Sequence, residues 1–183
     1  GGHGGIVTIN GKGNVTTGFI DAHGEGASAN TGRNNLTTGR GGVIAVTAST
    51  GSSDVSTGAL SSYSGDAFCN GNRSCTLQAA GNITVSSTGF IKVDGAVQSQ
   101  GGNANGGNAP NNGAAAGNVS ITSTATTSGK SVLINGGINA AGGNGRGGNG
   151  FGSGASGGAA GSVTVSSAGV GGAGSNVAIA GGI

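Results

Sequence analysis

Residues 81–102 read GNITVSSTGFIKVDGAVQSQGG, and this stretch contains the pattern that decides the fold. Aliphatic side chains alternate with small or polar ones in three short runs, which are Ile83/Val85, Ile91/Val93 and Val97. Alternation with period two is typical of a strand that buries one face. Three such strands in so short a stretch, bent at corners that contain glycine, predict one coil of a β-solenoid.

The same unit occurs five times along the chain. Each copy opens with a glycine followed by alternating β-branched residues, at Gly5, Gly42, Gly81, Gly117 and Gly161. The spacings are 37, 39, 36 and 44 residues, as expected when the strands have fixed lengths and one loop per coil absorbs the difference. We therefore predict that residues 1–183 form one repeat array, an all-β, single-stranded β-solenoid of about five coils with three short strands each. Stacked about 4.8 Å apart, five coils would be about 24 Å tall.

A long segment rich in glycine and asparagine follows the third strand of each coil. We call these segments the excursions, and they comprise residues 23–42, 64–81, 100–117 and 141–161. One interpretation is a set of flexible loops. The other is that successive excursions stack as extended layers, polyproline-II-like or strand-like, because glycine permits close contact between backbones. We favour stacking, since all the excursions leave from one corner of the coil.

Composition excludes several other classes of protein. Glycine accounts for 46 of the 183 residues, but there is one proline and no Gly-x-y period, which excludes collagen. Charged residues make up 7% of the chain and β-branched residues recur in blocks, whereas disordered chains show the reverse. The seven basic residues are scattered, so no nucleic-acid partner is predicted. No apolar run approaches the roughly 18 residues of a membrane span.

The two ends of the sequence interrupt the pattern. The chain begins inside a glycine stretch and stops in the middle of a repeat. We expect it to be a segment of a longer solenoid.

Cys69 and Cys75 lie in the second excursion with five residues between them. A zinc site needs about four ligands, and the histidines, His3 and His23, are far away in sequence. We therefore predict a disulfide, whose ring closure contributes roughly 2–2.5 kcal/mol of stability. A disulfide indicates an oxidising, extracellular or cell-surface location.

The sequence does not predict a catalytic, cofactor or metal site. The five carboxylates are Asp21, Glu25, Asp54, Asp66 and Asp94. A hydrolase built on a solenoid needs two or three carboxylates on one face of neighbouring coils. Asp54 and Asp94 stand beside strand corners, but at different positions in the coil, so turn formation is the better interpretation. The histidines have no nucleophile at a recognisable spacing, and we expect them to be exposed to solvent.

The outward positions of the first strands form two ranks of small, mostly hydroxyl-bearing side chains. They are Thr8, Ala45, Thr84, Ser120 and Thr164, and then Asn10, Thr47, Ser86, Thr122 and Ser166. These are good solvated strand residues, but the same geometry suits binding of ice or sugar through ordered water. Asn-x-Ser/Thr tripeptides begin at Asn14, Asn35, Asn72, Asn82 and Asn118. Strand alternation explains much of this pattern, and glycosylation is the alternative.

The segments GNITVSSTGFIKVDGAVQSQGGNANGG (81–107) and GSVTVSSAGVGGAGSNVAIAGG (161–182) resemble the glycine-rich β-helical arrays of very large bacterial surface and secreted proteins. Among these are the filamentous-haemagglutinin-like adhesins. The resemblance extends over essentially the whole chain, through a degenerate G-[NS]-[VI]-[TS]-[VI] unit. It implies a right-handed β-helix, export from the cell, and adhesion or fibre formation.

Our leading expectation is a non-enzymatic structural segment of an extracellular fibre, sheath or adhesin. Its partners would be copies of itself, bound by end-to-end coil stacking and by lateral contacts of the excursions, with glycans or a surface as further partners. The alternative is a β-solenoid that binds ice or polysaccharide through the outward Thr/Ser ranks. A carbohydrate-active β-helix enzyme is a third hypothesis, which the sparse carboxylates disfavour.

Overall fold

The structure, a computed structural model, describes residues 1–28, 36–69, 74–106, 110–125, 132–147, 154–168 and 177–183. Within these ranges all regular secondary structure is β and there is no helix. The predicted tripeptides at Asn35 and Asn72 and the middle of each excursion lie outside the described residues.

Nineteen strands occur in the described ranges. In chain order they are β1 (Val7–Gly11), β2 (Val15–Thr16), β3 (Ile20–Asp21), β4 (Ala27–Ser28), β5 (Leu36–Thr37), β6 (Ile44–Ala48), β7 (Val55–Thr57), β8 (Leu60–Ser61), β9 (Ala67–Phe68), β10 (Cys75–Thr76), β11 (Ile83–Ser87), β12 (Ile91–Val93), β13 (Val97–Gln98), β14 (Ala104–Asn105), β15 (Val119–Ser123), β16 (Val132–Ile134), β17 (Ile138–Asn139), β18 (Val163–Ser167) and β19 (Val177–Ile179).

Three parallel sheets each take one strand from successive repeats. The first sheet has the order β1-β6-β11-β15-β18, the second β19-β16-β12-β7-β2, and the third β17-β13-β8-β3. Val85 pairs with Val46 on one side and with Ile121 on the other, and Ile121 pairs with Val165. The prediction of an all-β chain with parallel, stacked strands is thereby confirmed for the described residues.

The core lies between these three sheets and consists of the alternating aliphatic residues. Val85, Ile91 and Val97, one from each sheet, are fully buried. In the first four repeats the last inward residue of the third run is small, either serine or alanine. There Ser99 is fully buried and donates a hydrogen bond of 2.7 Å from its Oγ to the carbonyl of Gly81. Period-two alternation thus accounts for burial, and a small residue fits where the chain turns into the excursion.

Two features differ from the prediction of three strands per coil. The excursions contain additional short parallel strands, with β4, β9 and β14 in one sheet and β5 and β10 in another. These strands lack aliphatic alternation and form because neighbouring excursions pair with each other. The alignment of the repeats also places Ile183 at the first inward position of a fifth third strand, but Ile183 lies outside any strand and is 78% exposed.

In the first, third and fourth excursions the two legs are joined by hydrogen bonds at intervals of three residues. In the third excursion the N–H of Gly117 donates to the carbonyl of Ser99, and that of Ala114 to the carbonyl of Gly102, both at 3.0 Å. In the fourth excursion the N–H of Gly161 donates to the carbonyl of Ala140, and the N–H of Gly158 donates to the carbonyl of Gly143. A period of three residues is that of a polyproline II helix. Successive layers are also joined, because the N–H of Gly143 donates to the carbonyl of Ala114 at 2.9 Å.

Close packing between layers requires glycine at the base of the excursions. A Cβ atom on Gly117 would overlap the carbonyl oxygen of Gly81, and one on Gly81 would overlap that of Gly42. The described legs are therefore stacked layers rather than loops, as the favoured interpretation of the sequence predicted.

Candidate functional site

The outward Thr/Ser ranks predicted from the sequence lie on the solvent side of the first sheet. In the first rank Thr8, Thr84 and Thr164 are exposed and Ser120 is half-buried. The strand register aligns them through Ala45, which interrupts the hydroxyl rank. In the second rank the four hydroxyl-bearing residues, Thr47, Ser86, Thr122 and Ser166, are all half-buried.

The two ranks differ in their hydrogen bonding. In the second rank, the Oγ of Ser86 donates to the Oγ1 of Thr47 at 3.1 Å, and that of Ser166 to the Oγ1 of Thr122 at 3.2 Å. Within the part of the chain that the structure describes, Thr8, Thr84 and Thr164 of the first rank make no side-chain hydrogen bond. Neighbouring positions are about 4.8 Å apart between strands and about 6.6 Å apart along a strand. The first rank therefore presents exposed hydroxyls in one column with a gap at Ala45, whereas the second is partly occupied by contacts within the sheet.

Asparagines of the predicted tripeptides link neighbouring repeats. The Oδ1 of Asn82 accepts the N–H of Asn118, and the Oδ1 of Asn118 accepts the N–H of Ser162, both at 2.9 Å. The Oδ1 of Asn14 likewise accepts the N–H of Asp54 at 2.9 Å. These side chains thus have a structural role, and glycosylation of them stays a prediction.

Cys69 and Cys75 form a disulfide, in agreement with the predicted pairing, and their Cα atoms are 6.3 Å apart. The bond joins the two legs of the second excursion just after β9 and at the start of β10. Cys69 is fully buried and its N–H donates to the carbonyl of Asn105 at 2.8 Å. The N–H of Cys75 donates to the Oδ1 of Asn111 at 2.7 Å. The disulfide therefore lies against the following layer, with Cys69 buried and Cys75 half-buried.

Three of the carboxylates, Asp54, Asp66 and Asp94, accept hydrogen bonds from the following repeat. The Oδ1 of Asp54 accepts the N–H of Phe90 at 2.7 Å. Asp94 binds the Nζ of Lys92 at 2.7 Å and the Nδ2 of Asn135 at 2.6 Å, and these hydrogen bonds hold its pKa below the usual value of 3.8. Across the described ranges no three His, Cys, Asp or Glu side chains come close enough together to hold a metal ion.

One group of polar side chains was missed by the sequence analysis. His23 is half-buried rather than freely exposed, its Nδ1 lies 2.7 Å from the Oδ1 of Asp21, and its ring stacks on Tyr63. Tyr63 and Gln100 occupy the position of His23 in the second and third repeats, because Ile20 pairs with Leu60 and Leu60 with Val97. The sequence signal that could have found this group is position. His23, Tyr63 and Gln100 each lie three residues after the first inward residue of their third strand, which is Ile20, Leu60 or Val97.

No protein-family model, curated protein or solved structure matches the chain. The resemblance to filamentous-haemagglutinin-like adhesins therefore stays a prediction. Among the residues that the structure describes, no helix has the length and hydrophobicity required to cross a membrane.

Proposed function

We propose that the chain winds into a right-handed β-solenoid of five coils and serves as a non-enzymatic structural segment of an extracellular fibre, sheath or adhesin. The observation that supports this most strongly is the first sheet, in which five parallel strands stack in register over one aliphatic column. Parallel strands connected within one sheet follow a right-handed path in about 98% of known cases, which supports the handedness.

The two end strands of the first sheet support growth by stacking. Among the described strands β1 and β18 each pair on one side only, and their inward aliphatics, Val7, Ile9, Val163 and Val165, are half-buried, whereas Val85 in the middle is fully buried. A strand edge that is unpaired and leaves its aliphatics only half-buried is a template for another chain. The partner that fits best is a second copy, whose register and side-chain alternation already match.

An extracellular location accords with the Cys69–Cys75 disulfide, because disulfides persist in oxidising surroundings. The ordered excursion legs support a structural role as well. They place Gly- and Asn-rich layers beside the sheets, where a neighbouring fibre would meet them.

Electron microscopy of negatively stained protein tests this proposal. We expect thin rods whose length grows with concentration. The substitution Ile9→Lys places a charge at the inward edge of β1 and should abolish the rods. Thr16→Lys, on an exposed outward position of β2, is the matched control and should leave them intact. Compact single particles at every concentration would contradict the proposal.

A second candidate function is binding of ice or polysaccharide through the first hydroxyl rank. It is supported by the exposure of Thr8, Thr84 and Thr164 in one column. Replacing Thr84 and Thr164 by tyrosine should abolish inhibition of ice recrystallisation or retention on polysaccharide resin while rods persist. If the double tyrosine variant still bound ice or polysaccharide, the first hydroxyl rank would be excluded as the binding site.

A further inference from the structure

A polar groove runs along the outgoing legs of the excursions, away from the hydroxyl ranks. It consists of two adjoining depressions of about 350 and 220 Å³, which meet at Gln100. Its lining comes from equivalent segments of four repeats, residues 23–26, 63–66, 100–103 and 141–144. The groove is therefore elongated along the stacking direction, and a ligand that fills it would contact several repeats at once.

One wall is a column of flat polar side chains, His23, Tyr63 and Gln100. The rings of His23 and Tyr63 stack with centroids 4.9 Å apart and planes inclined by 14°. Asp21 fixes the imidazole, because its Oδ1 accepts the backbone N–H of His23 at 3.0 Å and contacts Nδ1 at 2.7 Å. Among the described residues the Tyr63 hydroxyl and the His23 Nε2 have no protein hydrogen-bond partner. They remain available to a ligand on a wall that is already ordered.

The other wall is a ladder of Asp66, Asn103 and Asn144. The Oδ1 of Asp66 accepts the N–H of Asn103 at 2.6 Å, and the Oδ1 of Asn103 accepts the N–H of Asn144 at 2.8 Å. These bonds orient the side chains and leave the second carboxylate oxygen of Asp66 and the side-chain amide of Asn144 for a ligand. This wall thus offers both an acceptor and a donor to a ligand.

The charge of the groove restricts the class of ligand. Glu25 and Asp66 line it, and among the described residues no lysine or arginine does, so polyanions are repelled. Apart from the Tyr63 ring and the Ala141 methyl group, the described part of the lining offers no apolar side chain to anchor a peptide. Hydroxyl groups both donate and accept hydrogen bonds, which matches walls that carry both kinds of group. We propose that this groove binds an uncharged oligosaccharide that lies along the stack.

Isothermal titration calorimetry with cellohexaose, laminarihexaose and mannohexaose tests this proposal, with hexagalacturonate as the anionic comparison. We expect at least one neutral hexasaccharide to bind and hexagalacturonate not to bind. Tyr63→Phe keeps the stacked ring and removes the hydroxyl, and Asp66→Asn keeps an oxygen to accept the Asn103 N–H and removes the charge. Each should weaken binding about fivefold, the effect of losing one hydrogen bond.

Thr84→Ala on the first sheet is the control and should leave the affinity unchanged. Circular dichroism spectra that match the parent chain show that the groove variants remain folded. The proposal is overturned if none of the three neutral hexasaccharides binds, if the Tyr63→Phe/Asp66→Asn double variant binds as tightly as the parent, or if Thr84→Ala abolishes binding. The measurement does not depend on rod formation, so its failure and that of the fibre proposal are distinguishable.

Discussion

Glycine has two different roles in this chain, and its position in the stack decides which one applies. Gly51 and Gly106 have positive φ angles, +61° and +78°, which L side chains rarely adopt. Gly81 and Gly117 are instead required by space, because the backbone of the preceding repeat lies where a Cβ atom would be. A positive φ angle is needed only at individual turns. Lack of space for a Cβ atom recurs at the opening glycine of every repeat that follows another repeat in the stack.

The opening glycines provide a prediction with an internal control. Gly117→Ala would place a methyl group against the carbonyl of Gly81, and overpacking of this kind costs about 1–3 kcal/mol of unfolding free energy. Gly5 opens the first repeat and has no atom within 4 Å of its Cβ position, so Gly5→Ala should be neutral or slightly stabilising. Urea-induced unfolding followed by circular dichroism measures both. Equal effects of the two substitutions would contradict the packing argument.

Asp94 supports a prediction about pH. Its hydrogen bonds from Lys92 and Asn135 lower its pKa in the folded state, so the ionised carboxylate favours folding above pH 3.8. This contribution is lost as the pH falls through the lowered pKa. We expect ¹³C NMR of the Asp94 carboxyl to show an inflection below 3.8, and Lys92→Gln to move it upward. An inflection at or above 3.8 in the parent chain would be inconsistent with the observed contacts.

At the scale of the secondary-structure elements, the strands of the three sheets could be predicted because their side chains alternate. Every residue pair of β1, β6, β11, β15 and β18 lies in the register that the aligned sequences imply. The excursion strands could not be predicted in this way, since each has two residues, too few to show alternation, and their pairing is set by the neighbouring layer. The groove was missed for a related reason: its wall residues, His23, Tyr63 and Gln100, share a position but not a residue type.

The position of a strand in its sheet should decide how much its inward side chain contributes. Ile121 of β15 has neighbours on both sides and is fully buried, so Ile121→Ala should cost about 2–5 kcal/mol. Ile9 occupies the same column on the end strand β1 and is half-buried. Ile9→Ala should therefore cost about half as much. Chemical denaturation compares the two, and a larger loss from Ile9→Ala would contradict the strand order.

At the scale of the whole molecule, side-chain oxygens link neighbouring repeats, most often by accepting a backbone N–H from the repeat that follows, although Asn111 accepts one from the repeat before it. Asn82, Asp66 and Asn103 each accept a backbone N–H from the repeat that follows in sequence. Each repeat thus provides side-chain oxygens that accept backbone N–H groups of the next repeat. The aliphatic column, the glycine contacts and these ladders all join neighbouring repeats, so the stability of the array depends on the stack and not on any single repeat.

The distance between Thr8 and Thr164 tests the stack most directly. Both residues lie outward on the first sheet, four strand steps apart through Ala45, Thr84 and Ser120. Spin labels on cysteines substituted at these two positions should give, by double electron–electron resonance, a narrow distribution centred near about 19 Å. A broad distribution extending toward the about 70 Å of a flexible chain of this length, or a narrow one far from about 19 Å, would contradict the account.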